Sequence, residues 1–394
     1  MARKGLARRA DIGQTEGVQI TACIVQLNEV NCMSTRRGGW ICLFGFSLFL
    51  GFAQQSGPTG QPASAASVQP DSANHRIGLD VVVTDKSGRP LPGLQQEDFT
   101  LLDNKLPQKI VSFQAAGRAA TADPPVEVIL LVDAVNISFS KVTYAREEIK
   151  KFLLRNGGEL PLPVSVAYLS DSGMTMDEAS RDGNALIAGI DKNKNALRTV
   201  GNAQGFYGAS DRQQLSIRGL GQLVEYGTAR PGRKLVVWIS PGWPLLTGPG
   251  VELSSKDQQG LFKNIVAVSE GLRRARITLY HIDPLGMEDA GGLRTSYYMA
   301  FLKGVRTAKQ VELADLSLQV LAVQSGGRVL NSSNDVAGEI ATCIADASAF
   351  YVLSFDGVAG DGPNEYHALA VKIDKPGLTA RTRSGYYAQP EPAH

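Results

Sequence analysis

Residues 126–138 read VEVILLVDAVNIS. From 126 to 132 the run is apolar except at Glu127. A strand with one wet face alternates apolar and polar residues, whereas a strand covered on both faces does not. This run therefore predicts an interior strand with helices on either side. It ends on Asp133, with Asn136 and Ser138 just beyond, where a buried strand returns to the surface. Three more runs have the same character: 164–169 (VSVAYL), 235–239 (LVVWI) and 277–282 (ITLYHI).

Helical patterns fall between these strands. Over 142–154, Ala145, Ile149, Phe152 and Leu153 share one side, and Glu147 and Lys151 form an i,i+4 pair. A short helix is expected at 182–190. A longer one at 211–226 turns Leu220, Leu223 and Val224 inward. Over 257–274, Leu261, Ile265, Val268 and Leu272 recur at a spacing of four, three and four. A further helix is expected at 309–324 and a short last strand at 328–330. Strand and helix in alternation predict an α/β class: a doubly wound, mainly parallel sheet occupying 122–340.

Both flanks read as β. Residues 77–83 alternate apolar with other residues, and short strands are expected at 99–102 and 109–113. Three more are expected at 350–355, 366–373 and 379–387. The predicted organisation is a first β half at 75–121, the α/β domain, a helix end with the second β half at 341–388, and a tail at 389–394. About six strands from the two halves suffice for one sandwich-like module.

The N-terminal region carries an export pattern. Arg36 and Arg37 precede the uncharged apolar run 40–52 (WICLFGFSLFLGF), and Gly51-Phe52-Ala53 offers small residues for cleavage. Residues 1–53 are expected to be an extension plus signal peptide, with Met33 as the true start. Residues 54–74, rich in Gly, Pro, Ser, Ala and Gln, are expected to be a flexible linker. The expected location is exported: periplasmic, cell envelope or secreted, touching membrane only through the signal. Of four cysteines only Cys343 lies beyond the signal, which excludes an internal disulfide in a processed chain. A formal net charge of +2 gives no electrostatic case for nucleic acid.

An apolar strand ending in Asp, then a helix, then a strand ending in Ser170-Asp171-Ser172, resembles the von Willebrand factor A domain over about 125–330. A closer resemblance is to the von Willebrand factor A-related domain proteins abundant in acidobacteria. It rests on LDVVVTDKSGRPLPGLQQEDFTLLDNKLPQKIVSF (79–113), ILLVDAVNISFSKVTYAREEIKKFL (129–153), SGGRVL (325–330) and RTRSGYYA (381–388), in that order. The resemblance implies export, a flanking β-module and a cation site, often degenerate, that takes Mg²⁺ through oxygen ligands. Asp133 matches its first Asp. Val135 and Ile137 fall where it has Ser, and Pro241 where it has a late Asp, so the site is expected to be defunct or weak. Asn136 and Ser138 are the substitutes within reach. The alternative for Asp133 and Asn136 is a cap on the following turn and helix.

The remaining candidates cluster after the strand ends. Asp171, Ser240, Trp243 and Asp283 are expected to form a ligand face. Phe206, Tyr207, Trp243, Tyr297 and Tyr298 fall in expected loops there. Such aromatics suit a protein-binding face; equally, they cover a sheet end that has lost its metal. The expected function is non-catalytic: a protein-binding, adhesion-type or scaffold protein whose partner is another protein or a cell-envelope macromolecule. The alternative is a hydrolytic enzyme centred on Asp133, His281 and Asp283, since alternation puts His281 and Asp283 on one side of a strand. No nucleophile elbow surrounds 171–173, and the glycine-rich 201–208 lacks the Lys of a phosphate-binding loop.

Overall fold

The computed structural model describes residues 76–117, 126–193, 205–244, 246, 252–284 and 294–391. The expected extension and signal peptide (1–53) and the linker (54–74) lie outside the described residues, as do Cys23, Cys32 and Cys42. All described residues fall within one unit of the chain, which contains His75–His394; the second unit, Val25–Asn74, lies wholly outside them.

The first described segment forms β1 (Arg76–Thr84), β2 (Phe99–Asp103), β3 (Leu106–Gln108) and β4 (Ser112–Gly117). Asn104 and Lys105 both take positive φ, 47° and 72°, and make the two-residue turn between β2 and β3. Then follow β5 (Val126–Asp133), α1 (Phe139–Leu153), β6 (Glu159–Ser170), β7 (Gly173–Met176), β8 (Ser180–Asp182) and α2 (Gly183–Lys192). The centre of the chain supplies α3 (Gly205–Thr228), β9 (Arg233–Ile239), α4 (Ser255–Arg274) and β10 (Ile277–Ile282). After these come α5 (Arg294–Tyr297), α6 (Leu318–Gln324), β11 (Val329–Leu330) and α7 (Val336–Ala345). The last four strands are β12 (Ala349–Asp356), β13 (Glu365–Ile373), β14 (Thr379–Arg381) and β15 (Gly385–Ala388).

Three sheets result. A seven-stranded sheet runs β11-β10-β9-β5-β6-β7, with β8 also paired to β6. Side-chain alternation along β5 sorts its two helical layers. Val128, Leu130 and Val132 pack with Ala145 and Ile149 of α1 and with Ile340 and Cys343 of α7. Ile129 and Leu131 pack with Leu220 and Leu223 of α3, Leu261 and Ile265 of α4 and Leu321 of α6. Burying each such side chain contributes about 1.5–3 kcal/mol, which is why so apolar a run takes the middle of the sheet.

The other two sheets have four strands each, ordered β14-β1-β12-β4 and β15-β13-β2-β3. Each joins strands from the two ends of the described chain: Arg76 pairs with Asp356, and Asp103 with Leu369. Leu79, Val81 and Leu353 of the first meet Leu101, Leu369 and Tyr386 of the second in a common apolar core.

The expected fold class is thereby corrected. A doubly wound, mainly parallel sheet does not describe this chain. Two of its three sheets are wholly antiparallel, and the third is mixed, because β7 and β8 run antiparallel to β6. The physical reason lies in short amphipathic strands, whose weak signals were outweighed by the apolar run at 126–132. The strand expected at 109–113 is displaced: residues 109–111 are not strand, β4 starts only at Ser112, and β3 lies ahead of it at Leu106–Gln108. The one expected at 379–387 divides into β14 and β15, which belong to different sheets. The helix expected at 309–324 is reduced to α6, preceded by short 3-10 turns at Ala308–Gln310 and Leu313–Leu316.

Candidate functional site

Asp133 ends β5 and is buried. Its Oδ1 accepts the backbone N–H groups of Val135 at 2.9 Å and Asn136 at 3.0 Å, which closes a tight turn. Its Oδ2 accepts Asn136 Nδ2 at 2.8 Å and Trp238 Nε1, from neighbouring β9, at 2.9 Å. An ionised carboxylate offers about four acceptor positions, and here four donors occupy them. Asn136 Nδ2 also donates to Ser216 Oγ at 2.8 Å, which ties the loop to α3. The Oδ1 of Asn136 is buried and has no hydrogen-bond partner among the described residues.

Val135 and Ile137 explain the missing oxygens of this loop. Val135 packs into one helical layer and Ile137 into the other, so both serve the core. Ser138 is exposed, lies 3.3 Å from Ser140 Oγ, and leads into α1 without a side-chain cap bond. Of Asp133, Asn136 and Ser138, the structure brings only the first two together through a hydrogen bond.

The four residues expected at a ligand face part company. Asp171 is exposed beyond β6. Ser240 is fully buried: its Oγ accepts the Gly242 N–H at 3.1 Å, and its carbonyl faces His281 Nε2 at 2.6 Å. Opposite a carbonyl, that nitrogen is the donor. Asp283 is buried, and its backbone N–H donates to the Leu330 carbonyl at 2.8 Å. Trp243 corrects the expectation of an exposed aromatic. It is 1% exposed and stands edge-on to Trp238 with ring centroids 5.3 Å apart. The preceding residue must be glycine: Gly242 has φ 99°, and a Cβ there would lie 2.2 Å from the Gln319 amide nitrogen. Of the other aromatics expected in loops, Tyr207 lies instead in α3 and Tyr297 ends α5, both exposed, and Tyr298 opens a 3-10 turn and is half-buried.

The hydrolytic alternative requires Asp133, His281 and Asp283 to act together. Asp133 makes no hydrogen bond to either of the others, its four contacts going to Val135, Asn136 and Trp238. His281 is 1% exposed.

Two sets of polar residues escaped the sequence reading. Glu339 lies on the inward side of α7, buried beside Val336 and Ile340. Burial pushes its carboxyl up to about 7, and the charges of Asp283 and Asp335 add to the rise. The available signal was a Glu within the apolar period 336, 340 and 343. The second set is Asp103, His367 and Tyr386. His367 Nδ1 lies 2.9 and 3.1 Å from the Asp103 oxygens, and Tyr386 donates to Asp103 Oδ2 at 2.8 Å. His367 Nε2 is buried without a hydrogen-bond partner among the described residues, and Glu365 Oε1 lies 3.9 Å from it. Asp103 and His367 are 264 residues apart, and no local pattern in sequence links them.

No family model matches the chain, and no curated protein matches it. Among solved structures, the pilus adhesin SpaC from Lactobacillus rhamnosus GG is similar at 10% identity and a TM-score of 0.32, over 76% of this chain and 49% of that one. The chain thus spans about half the length of that structure. Among the described residues no helix is long and apolar enough to cross a membrane.

Proposed function

We propose that this chain is an exported, non-catalytic binding protein of adhesion or scaffold type, whose partner is another protein or a cell-envelope macromolecule. The observation that carries the reading is the saturation of Asp133. The one carboxylate placed at the end of the central strand is consumed by four internal donors, which leaves it neither a base nor a cation ligand. Mg²⁺ demands near-octahedral oxygen ligation, and Val135, Ile137 and Pro241 contribute no side-chain oxygen, so the same reading holds that no Mg²⁺ site operates. The export pattern at 36–53 and the resemblance to von Willebrand factor A-related proteins support it.

The binding face is the side of the sheet where β5, β6 and β10 end. The bond from Asn136 to Ser216 places the first half of α3 against the Asp133 loop, and Tyr207 lies further toward the start of that helix. Tyr207, exposed by 72%, is the large aromatic on that helix, and Tyr297 and Met299, exposed by 39% and 59%, are proposed to extend the same face.

Cross-linking capture from the native envelope tests this, comparing wild type with a Tyr207→Ala, Tyr297→Ala double variant. The reading expects a discrete partner, lost in the variant while its fold is retained. A hydrolytic activity of the wild type that disappears in His281→Ala would overturn it.

A further inference from the structure

A small cleft, open to solvent, lies where β1, the end of α4, the start of β10 and the segment between β14 and β15 meet. Three arginines, Arg273, Arg276 and Arg383, are among the residues that line it, together with Asp80 and Thr278. It sits at the start of β10, whereas Asp133 lies at the opposite, C-terminal end of the parallel strands. It is therefore separate from the proposed binding face.

The charges around it do not balance. Arg276 holds both oxygens of Asp80, Nη2 to Oδ1 at 2.5 Å and Nε to Oδ2 at 3.3 Å. Arg276 does so from the left-handed region, φ 51°, a conformation that non-glycine residues adopt at a cost of about 1–2 kcal/mol. Arg273 Nε holds Glu270 Oε2 at 2.7 Å, and the other Glu270 oxygen accepts the Tyr387 N–H at 3.1 Å. Both nearby carboxylates are thus committed. Arg383 is 8% exposed, yet its hydrogen bonding among the described residues is one long contact, Nη1 to the Gly385 carbonyl at 3.5 Å. No carboxylate among the described residues lies within ion-pair distance of it. Burial pushes its pKa down to about 10, with Glu270 and Asp80 opposing the fall and Arg273 adding to it. At neutral pH it remains a cation.

A buried cation without a counter-charge is costly, and the cost is relieved when an anion enters the space it lines. A guanidinium presents a planar fork of N–H donors that suits the paired oxygens of carboxylate and phosphate better than a spherical halide. We infer that this cleft is an oxyanion-binding site, in which the carboxylate or phosphate group of a small ligand supplies the counter-charge that Arg383 lacks. An anion seated there touches both the first antiparallel sheet, through β1, and the seven-stranded sheet, through β10, so it fastens one to the other.

Titration calorimetry and thermal melting of the whole protein test the site, with inorganic phosphate and acetate as probes and sodium chloride at matched ionic strength as the control. Saturable binding of at least one probe is expected, with a melting temperature raised by about 2 °C or more. A response to phosphate alone assigns a tetrahedral ligand; a response to acetate alone assigns a carboxylate. Arg383→Lys, which keeps the charge and loses the fork, is expected to weaken binding by about tenfold, and Arg383→Met to abolish it. Should Arg383→Met fail to fold, the Lys variant alone locates the site. Absence of saturable binding by both anions, or an affinity unchanged in Arg383→Lys, overturns the assignment.

Discussion

The indole of Trp238 donates to the carboxylate of Asp133 at 2.9 Å, reaching across from β9 to the last residue of β5. In the register of the two strands Trp238 stands beside Leu131, so its ring leans two residues along the strand to close the end of the sheet. Asp133→Ala removes the acceptor for four donors at once. Leaving a buried donor unsatisfied costs about 1–3 kcal/mol, and the turn loses its internal cap. Urea denaturation should show a loss of about 2–4 kcal/mol. A loss within experimental error would mean that these bonds are not made in solution.

A cation bound only by the folded chain would raise the melting temperature by mass action. With the Asp133 oxygens already engaged, melting curves in millimolar Mg²⁺ and in EDTA should superimpose. A rise with Mg²⁺ that vanishes in Asp133→Ala would show that the 133–138 loop rearranges to build a site.

Trp243 carries packing rather than contact with a partner. Trp243→Ala should cost about 3–5 kcal/mol, the usual range for emptying a buried aromatic site. Trp243→Phe keeps a six-membered aromatic ring, and the one polar atom it removes, the indole nitrogen, has no hydrogen-bond partner among the described residues. It should cost clearly less. Equal losses in the two variants, measured by chemical denaturation, would contradict a role based on volume.

Glu339 titrates in the folded protein at about 7 rather than the ordinary 4.5. Between those values the folded state keeps a proton that the unfolded chain has released. Stability therefore falls as pH rises from about 4.5 to about 7, and levels off above that. Asp315, raised to about 6 by burial, adds a slope of the same sign at lower pH. Glu339→Gln removes the Glu339 share, so the variant should gain on the wild type as pH climbs from about 5 to about 8. Parallel stability profiles for the two proteins across that range would refute the assignment.

What could be read from the sequence was what periodicity encodes. The apolar run ending at Asp133 and the four-three-four spacing from Leu261 to Leu272 each decide an element through burial alone, and those elements stand in the structure. Short strands have no such redundancy. β3, β7 and β8 have three or four residues each, too few for alternation to rise above chance, and with β7 and β8 unanticipated the sheet expected to be mainly parallel proves mixed. At the site, Asp133 stood out because it ends a strand. The fate of its oxygens could not be foreseen, because Trp238 is 105 residues away and only the register of β5 on β9 brings it near. The surplus charge at Arg383 was hidden for the same reason: its neighbours Asp80 and Arg276 lie far away in the chain.

The closure of the first antiparallel sheet by distant segments sets an order of assembly. Arg76 meets Asp356 across 280 residues, and Thr382 bonds the Asp80 carbonyl across 302. While the chain is being synthesised, β1 and β2 emerge long before β12, β13 and β14 exist to cover them, and their backbone edges stay open to any strand they meet. The central seven-stranded sheet draws on nearer segments and can form first. Completion then waits on residues 349–388, so the molecule is vulnerable to mispairing from the moment β1 is made until its last partners have left the ribosome.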